Sequence, residues 1–420
     1  MNVLIKDALI LHKGSTHHRK KKDILISNGK IKKIDTGIKE EGKVIKGKRL
    51  MVSMGWFDMR ANFSDPGLEH KEDIISGCNA ASAGGFTGVA LLPNTKPAIQ
   101  SKNNIGYILA KAKQCLPDIH PYGSVTRDNK GEEITEMIDQ DAAGAVAFTD
   151  GEKPIWNTDI MLKSLLYVEK FKGLIINIPQ EKWLNMLGHM HEGHTSTIIG
   201  TKGLPGIAEE IMIERDLRIV EYSGGKVHFS NISTAESVNL IRRAKRKGLD
   251  ITCDIAAHQI AFTDADLIDF DTNLKVNPPF REKKDVKTLL KGLEDGTIDI
   301  ITSSHSPQDI ESKVLEFDHA DFGITGLQTV YPILIHELGP NGYNIFLDKI
   351  TINPRQRLGL PVPVLEAGAD ANITVFDPTI EWTFDESSNQ SKSLNSPFLG
   401  KELKGKVVAV FNKGKEKIFL

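Results

Sequence analysis

With 420 residues, 40% hydrophobic and 26% charged, the chain has the length of one large or two moderate domains and an ordinary globular composition. A formal net charge of −2 gives no electrostatic case for nucleic acid or an anionic membrane as a partner, and no run reaches the ~18 apolar residues of a membrane-spanning helix. Cys78, Cys115 and Cys253 fall in no paired spacing, which argues against a disulfide framework or a cysteine-ligated zinc; with no cleavable apolar segment at the N-terminus, a cytoplasmic location is expected.

Residues 1 to about 53 read as short strands. Val3-Leu4-Ile5 is one, and Asp23-Ile24-Leu25-Ile26 turns at Asn28-Gly29 into Lys30 to Ile34, alternation around an Asn-Gly turn being a hairpin signal. The run Arg19-Lys20-Lys21-Lys22 reads as a solvated loop. Next comes an apolar run ending in Asp58-Met59-Arg60-Ala61-Asn62-Phe63-Ser64-Asp65-Pro66-Gly67. Strands then alternate with helices, the signature of a parallel βα fold. Candidate strands lie near 50–58, 88–92, 119–124, 143–148, 173–178, 225–230, 249–255 and 298–303. Helices are predicted after Glu72, after Asn103, across Met161 to Phe171 and from Ile207 to Val220. Ser233-Thr234-Ala235-Glu236 opens another as a capping box. Eight such strands close into a (β/α)₈ barrel, whose sites sit at the carboxyl ends of the strands. A doubly wound sheet is disfavoured because no Gly-x-Gly-x-x-Gly follows a strand. Ala371 to Asp377 and Gly405 to Phe411 are strands again. Residues 1–53 and 364–420 are therefore expected to form one small β-sandwich-like domain, and 54–363 the barrel.

Several further motifs follow in order: Glu69-His70-Lys71-Glu72-Asp73, Ala83-Gly84-Gly85-Phe86-Thr87, Pro93-Asn94-Thr95-Lys96-Pro97, Ala145 to Asp150, Thr272 to Arg281, Asp295 to Asp299, Phe322 to Leu327 and Lys392 to Phe398. Together with residues 54–67 they resemble the dihydroorotase family of cyclic amidohydrolases across the whole chain. The Phe148-Thr149-Asp150 end resembles the class with an aspartate there, not the carboxylated lysine of hydantoinases and dihydropyrimidinases. The resemblance implies an amidohydrolase-type TIM barrel, a zinc centre, and metal-dependent closure of carbamoyl-aspartate to dihydroorotate. It also implies a set of ligands that this chain has largely replaced. Arg60 and Asn62 stand for the His-x-His pair of the first strand, and Ser64 for the arginine that grips the substrate carboxylate. Asp150 is kept. Asn177 and Asn231 stand for the histidines of the fifth and sixth strands, and Ser304 for the catalytic aspartate of the eighth.

Closing or hydrolysing an unactivated amide takes a Lewis acid and a carboxylate that shuttles the proton. Arginine cannot ligate a cation, asparagine does so poorly with zinc, and serine has no useful basicity at neutral pH. No metal is therefore expected here. Asn94 and Asn277 match substrate-contacting positions. His228 reads as a hydrogen-bonded core histidine, and His305 sits beside the lost aspartate. The run His189-Met190-His191-Glu192-Gly193-His194 lacks His-Glu-x-x-His spacing and matches a connecting loop of the family. Arg60 is expected to enter the barrel mouth and pair with Asp150, with Asn62, Asn177, Asn231 and Ser304 completing the hydrogen bonds. Three functions stay open: an inactive, homo-oligomeric scaffold whose partner, by the resemblance, is aspartate transcarbamoylase; an active amidohydrolase with an atypical centre; and a metal-free small-molecule sensor using the old pocket.

Overall fold

Asn28 and Gly29 both sit at positive φ, 49° and 75°, the conformation a two-residue hairpin turn requires and these residues tolerate. Strands Lys21–Ser27 and Lys30–Asp35 pair antiparallel across them. The computed structural model describes residues 2–39, 42–339 and 341–419. In it, this hairpin is the edge of an eight-stranded sheet. Asn2–Ile10 pairs with Lys21–Ser27 and runs parallel to Met51–Met54; that strand lies against Ile373–Phe384, which pairs with Lys401–Asn412. Both chain ends thus share one sheet, and Val3, Ile5, Ile24, Val52, Ile373 and Phe411 belong to its own apolar core. Of the basic run, Arg19 and Lys20 are exposed ahead of the strand that Lys21 and Lys22 begin.

Trp56–Ala61, Phe86–Leu91 and Asp118–Pro121 pair in parallel, as do Ile175–Asn177, Val227–Phe229, Ile251–Ala256 and Ile300–Thr302. The fourth strand expected at 143–148 is reduced to bridges. Helix Met137–Ala143 overlaps its start and ends at Gly144 with φ 111°, leaving Phe148 to pair with Gly123 on one side and Ile175 on the other. Ala61 bridges His305 and closes the ring, giving a (β/α)₈ barrel. Met59, Ala90, Tyr122, Ala147, Ile176 and Ile300 come from strands around the ring and form the cluster inside it. Val89, Val227 and Ile255 pack in the larger outer core with the helix residues Ile108, Leu165 and Ile241. Among the described residues no helix is long and apolar enough to cross a membrane.

The predicted cap of helix Ala235–Arg246 is displaced by one residue. Thr234 is the N-cap and accepts the Ser237 N–H. Ser233 instead donates its N–H and hydroxyl to the buried Glu209 carboxylate, while Glu236 accepts from Asn239 and Arg243. A buried carboxylate needs those donors more than an exposed helix end does.

Candidate functional site

Between the pairs Asp58↔Val89 and Ala61↔Leu91 the first barrel strand carries one residue more than the second. Such a bulge re-aims side chains. Arg60 lies within it, 3% exposed, and lines a cavity of about 270 Å³ with Glu152, Lys153, His258, Asn277 and Ser304. Arg60 Nη1 donates to Ser230 Oγ at 3.2 Å and to Gly151 O at 3.4 Å, Nη2 donates to Gly151 O at 3.5 Å, and Nε has no partner among the described residues. Charge-assisted N–H···O bonds ordinarily run ~2.7–2.9 Å, so this guanidinium is weakly bonded. Burial lowers its pKa, and the negative charges of Asp254 and Glu152 oppose that shift.

The expected Arg60–Asp150 pair does not form. Asp150 is fully buried, and its carboxylate accepts the Thr126 N–H at 2.8 Å and the Thr126 hydroxyl at 2.5 Å. Burial raises its pKa to about 6 against those bonds. Asn94 explains the geometry: its Nδ2 donates to Asp150 O at 3.0 Å and its Oδ1 accepts the Glu152 N–H at 2.9 Å. The turn so held presents the Gly151 carbonyl to Arg60 while the Asp150 carboxylate faces Thr126.

Asp254, on the seventh strand, faces Arg60 instead. Its carboxylate accepts from Ser230 Oγ at 2.9 Å and from the Asn231 N–H at 2.7 Å, and lies 2.7 Å from His228 Nε2. Ser230 accepts from Arg60 and donates to Asp254, which links the two charges. The other ring nitrogen of His228 lies 2.8 Å from Thr252 Oγ1. Asp58 accepts the Ser303 N–H at 2.8 Å and the Ser303 hydroxyl; burial pushes its pKa up to about 7, with Asp254 adding to the shift and the Ser303 bonds opposing it.

Among the described residues none of the remaining predicted positions hydrogen-bonds Arg60, although Asn277, Ser304 and His305 line the same cavity. Asn62 Nδ2 donates to Glu152 Oε1 at 3.2 Å, and its Oδ1 accepts the Ser64 N–H at 2.8 Å. Asn177 Oδ1 accepts the Ile155 N–H at 2.8 Å, while its Nδ2 donates to the buried Asp216 at 2.7 Å. Asn231 Nδ2 donates to Ser304 Oγ at 2.8 Å, and Asn231 Oδ1 has no partner among the described residues. Asn277 forms an amide pair with Gln180. His305, 1% exposed, accepts the Gly326 N–H at Nδ1 and faces Glu72 from Nε2 at 3.3 Å.

Arg60, Asn62, Asn177, Asn231 and Ser304 do not belong to the donor set of a zinc centre, which takes neutral imidazole, thiolate or carboxylate. Both retained histidines have each ring nitrogen engaged, Asp150 is turned to Thr126, and a guanidinium stands at the mouth. Elsewhere, His191, Glu282 and Asp285 bring one ligand atom each within 4.8 Å of one another. There, however, His191 Nδ1 accepts from Arg281 Nη1 at 3.0 Å, which leaves the ring proton on Nε2, the nitrogen nearer Glu282. A neutral imidazole has one lone pair, and Arg281 occupies it.

Asp254, Ser230, His258, Glu152 and Glu72 were not singled out from the sequence as site residues. Asp254 did carry a signal, an acidic residue inside the apolar run Ile251–Ala256. His258 lies just beyond the same strand, where barrel sites are built.

A closed barrel with its polar groups at the strand ends, joined to a sheet drawn from both chain ends, defines a cyclic amidohydrolase-type fold. An L-hydantoinase (dihydropyrimidinase) from Arthrobacter aurescens shares it with a TM-score of 0.84 over 100% of this chain and 97% of its own, at 21% identity. A family model described as Dihydro-orotase-like matches residues 48–237. Proteins named dihydroorotase from Pelotomaculum thermopropionicum and Geotalea daltonii are 40% identical over 388 residues (91% of each chain) and 38% identical over 420 residues (99% of each). The chain belongs to the dihydroorotase family, whose relatives it matches over nearly their full length.

Proposed function

We propose that this protein is a dihydroorotase-family member without ring-closing turnover, acting in the cytoplasm through its surface as a scaffold for a protein partner. The observation that carries this reading is Arg60, a buried guanidinium at the mouth where the family resemblance places a metal ligand. A fixed cation there opposes a divalent ion, and the groups around it are bonded to one another. The core comes from apolar strands, to whose burial the mouth residues add little, so the fold is expected to stand without an ion. Trp183, Met186 and Leu187 are 65%, 58% and 61% exposed on a loop tied to helix Ile207–Ser223 by the Glu181 N–H to Ala208 O bond. Exposed apolar groups of this kind suit a protein contact. Aspartate transcarbamoylase is the partner the family resemblance suggests, with self-association into an oligomer alongside it.

The names of the relatives support a second reading better than this one: an active dihydroorotase, or a related hydrolase of cyclic amides, with an atypical metal centre. One experiment separates the two. Tag-free protein is assayed in both directions of the dihydroorotate reaction with added zinc, cobalt or manganese, and its metal content is read by mass spectrometry. The scaffold reading expects no turnover above background, no stoichiometric metal after dialysis, and a melting temperature unchanged by chelator. Metal-dependent turnover that disappears in Asp150→Ala establishes the second reading instead.

A further inference from the structure

We propose that Cys115 and Cys78 form a reversible oxidation site, in which a hydroperoxide oxidises Cys115 and Cys78 then resolves it to a disulfide. Their spacing in the sequence gives no sign of a pair; tertiary packing makes it. Cys78 lies in helix Ile74–Ala83, 2% exposed, and Cys115 follows helix Lys102–Ala112, half-buried. Both pack in one apolar cluster, and the Cys78 thiol donates to the Cys115 sulfur. The last strand, Lys415–Ile418, lays two lysines beside them. Lys415 Nζ donates to Cys115 O at 2.7 Å, and Lys417 Nζ donates to Oδ1 of Asn79, the neighbour of Cys78. Lys417 is half-buried, and among the described residues the groups its charge senses are the two cysteines, with no carboxylate. Asp73 opposes the lysines at the sulfurs, but it is engaged by Lys392 and the Ser76 N–H. A half-buried ammonium is matched by an anion, and a thiolate is the one this site can form.

Access and acidity rank the thiols. Cys115 lines an open cavity of about 410 Å³ with Leu109, Pro117, Lys413 and Lys415, wide enough for a small oxidant to reach the sulfur. The bond from Cys78 lowers the Cys115 pKa, burial opposes that, and the charges of Lys415 and Lys417 add to the lowering. Burial raises the thiols of Cys78 and Cys253, and Cys253 donates to Thr297 O at 3.4 Å inside the core. With hydrogen peroxide, Cys115 gives its proton to solvent and its thiolate attacks one oxygen. The S–O bond forms, the O–O bond breaks, and the leaving hydroxide takes a proton from solvent. The Cys78 sulfur then attacks the Cys115 sulfenic acid, so that S–S forms, S–O breaks, and the Cys78 proton leaves with the hydroxide as water. Two thiols lose two electrons and one peroxide becomes two waters. Disulfides of this transient kind are the ones a reducing compartment holds. The cavity reaches Asp118 and Ile119 at the amino end of the third barrel strand, the face opposite the mouth, so the site does not depend on what the mouth binds.

The test treats reduced full-length protein with hydrogen peroxide, quenches with catalase, alkylates the remaining thiols under denaturing conditions and maps the peptides by mass spectrometry without reduction. The expected result is a cross-link within one molecule between the Cys78 and Cys115 peptides, an alkylated Cys253, and reversal by dithiothreitol. In C78S the oxidation stops at a Cys115 sulfenic acid that dimedone captures, and in C115S Cys78 stays a thiol. K417M slows the oxidation of Cys115 by about threefold or more. Absence of the cross-link, a cross-link between molecules, Cys253 oxidised as fast as Cys115, Cys78 oxidised in C115S as in wild type, or K417M reacting as fast as wild type would each overturn the proposal. Should a variant fail to fold, iodoacetamide on the native wild type decides: Cys115 is alkylated about tenfold or more faster than Cys78 and Cys253, and equal rates overturn the proposal.

Discussion

Arg60, Ser230, Asp254 and His228 are each 3% exposed or less, so every charge among them depends on the others. Asp254→Ala removes the carboxylate shared by His228, Ser230 and the Asn231 N–H, and is expected to cost about 3–5 kcal/mol, as breaking a buried pair does. Arg60→Met combined with Asp254→Asn should lose less than the two single changes summed, because each single change strands a charge that the double removes. Urea denaturation of the four proteins checks this; additive losses would show that the two groups do not sense each other. Asp58 and Asp150 carry a pH signature. Their folded pKa values of about 7 and about 6 lie above the ordinary 3.8. Between those limits the folded state holds protons that the unfolded chain has released. Their contribution is complete below about pH 4 and is lost as pH rises through about 6 to 7. Asp58→Asn should therefore flatten the fall in denaturation midpoint over this window, and an unchanged slope would exclude Asp58 as its source.

Elements are tied at the mouth by side chains that serve several segments at once. Glu72 is fully buried ahead of helix Ile74–Ala83. Its carboxylate accepts from Ser76, Ser391 and the Lys392 N–H and faces His305, joining the first helix, the eighth strand's loop and the segment near residue 391. Glu72→Ala leaves these donors unsatisfied and is expected to cost about 2–4 kcal/mol. Hydrogen exchange should quicken around residues 391–393 while the barrel strands keep their protection. Uniform loss of protection would mean that Glu72 supports the whole barrel. The bulge in the first strand is the other device of this scale, since it is the irregularity at which Arg60 sits.

For the molecule as a whole, the scaffold reading places function on the outside of the barrel. Trp183 and Leu187 are exposed and make little contribution to the core, so Trp183→Glu with Leu187→Glu should leave the melting temperature within about 1 °C, surface changes being worth less than ~0.5 kcal/mol. The same pair should weaken self-association or capture of a transcarbamoylase, read by analytical ultracentrifugation. Unchanged assembly would move the contact elsewhere on the surface.

Strand alternation, helix periodicity and the Asn28-Gly29 turn made the barrel, its order of elements and the shared end sheet legible in the sequence, because those signals are local and repeat along the chain. The identities of Arg60, Asn62, Asn177, Asn231 and Ser304 were legible there too, and side-chain identity alone decides whether a group is a good zinc donor. The fourth strand was misjudged because residues 144–148 have partners on both sides but too little length for a ladder. The partner of Arg60 was decided only by tertiary structure. Asp150 and Asp254 are the same residue type, and their sequence neighbours do not say which of them stands opposite Arg60. Thr126 satisfies one and Asn94 turns its backbone, while Ser230 links the other to the guanidinium. Hydrogen-bond partners distant in sequence set which buried carboxylate stands opposite the cation, and only the closed barrel brings them together.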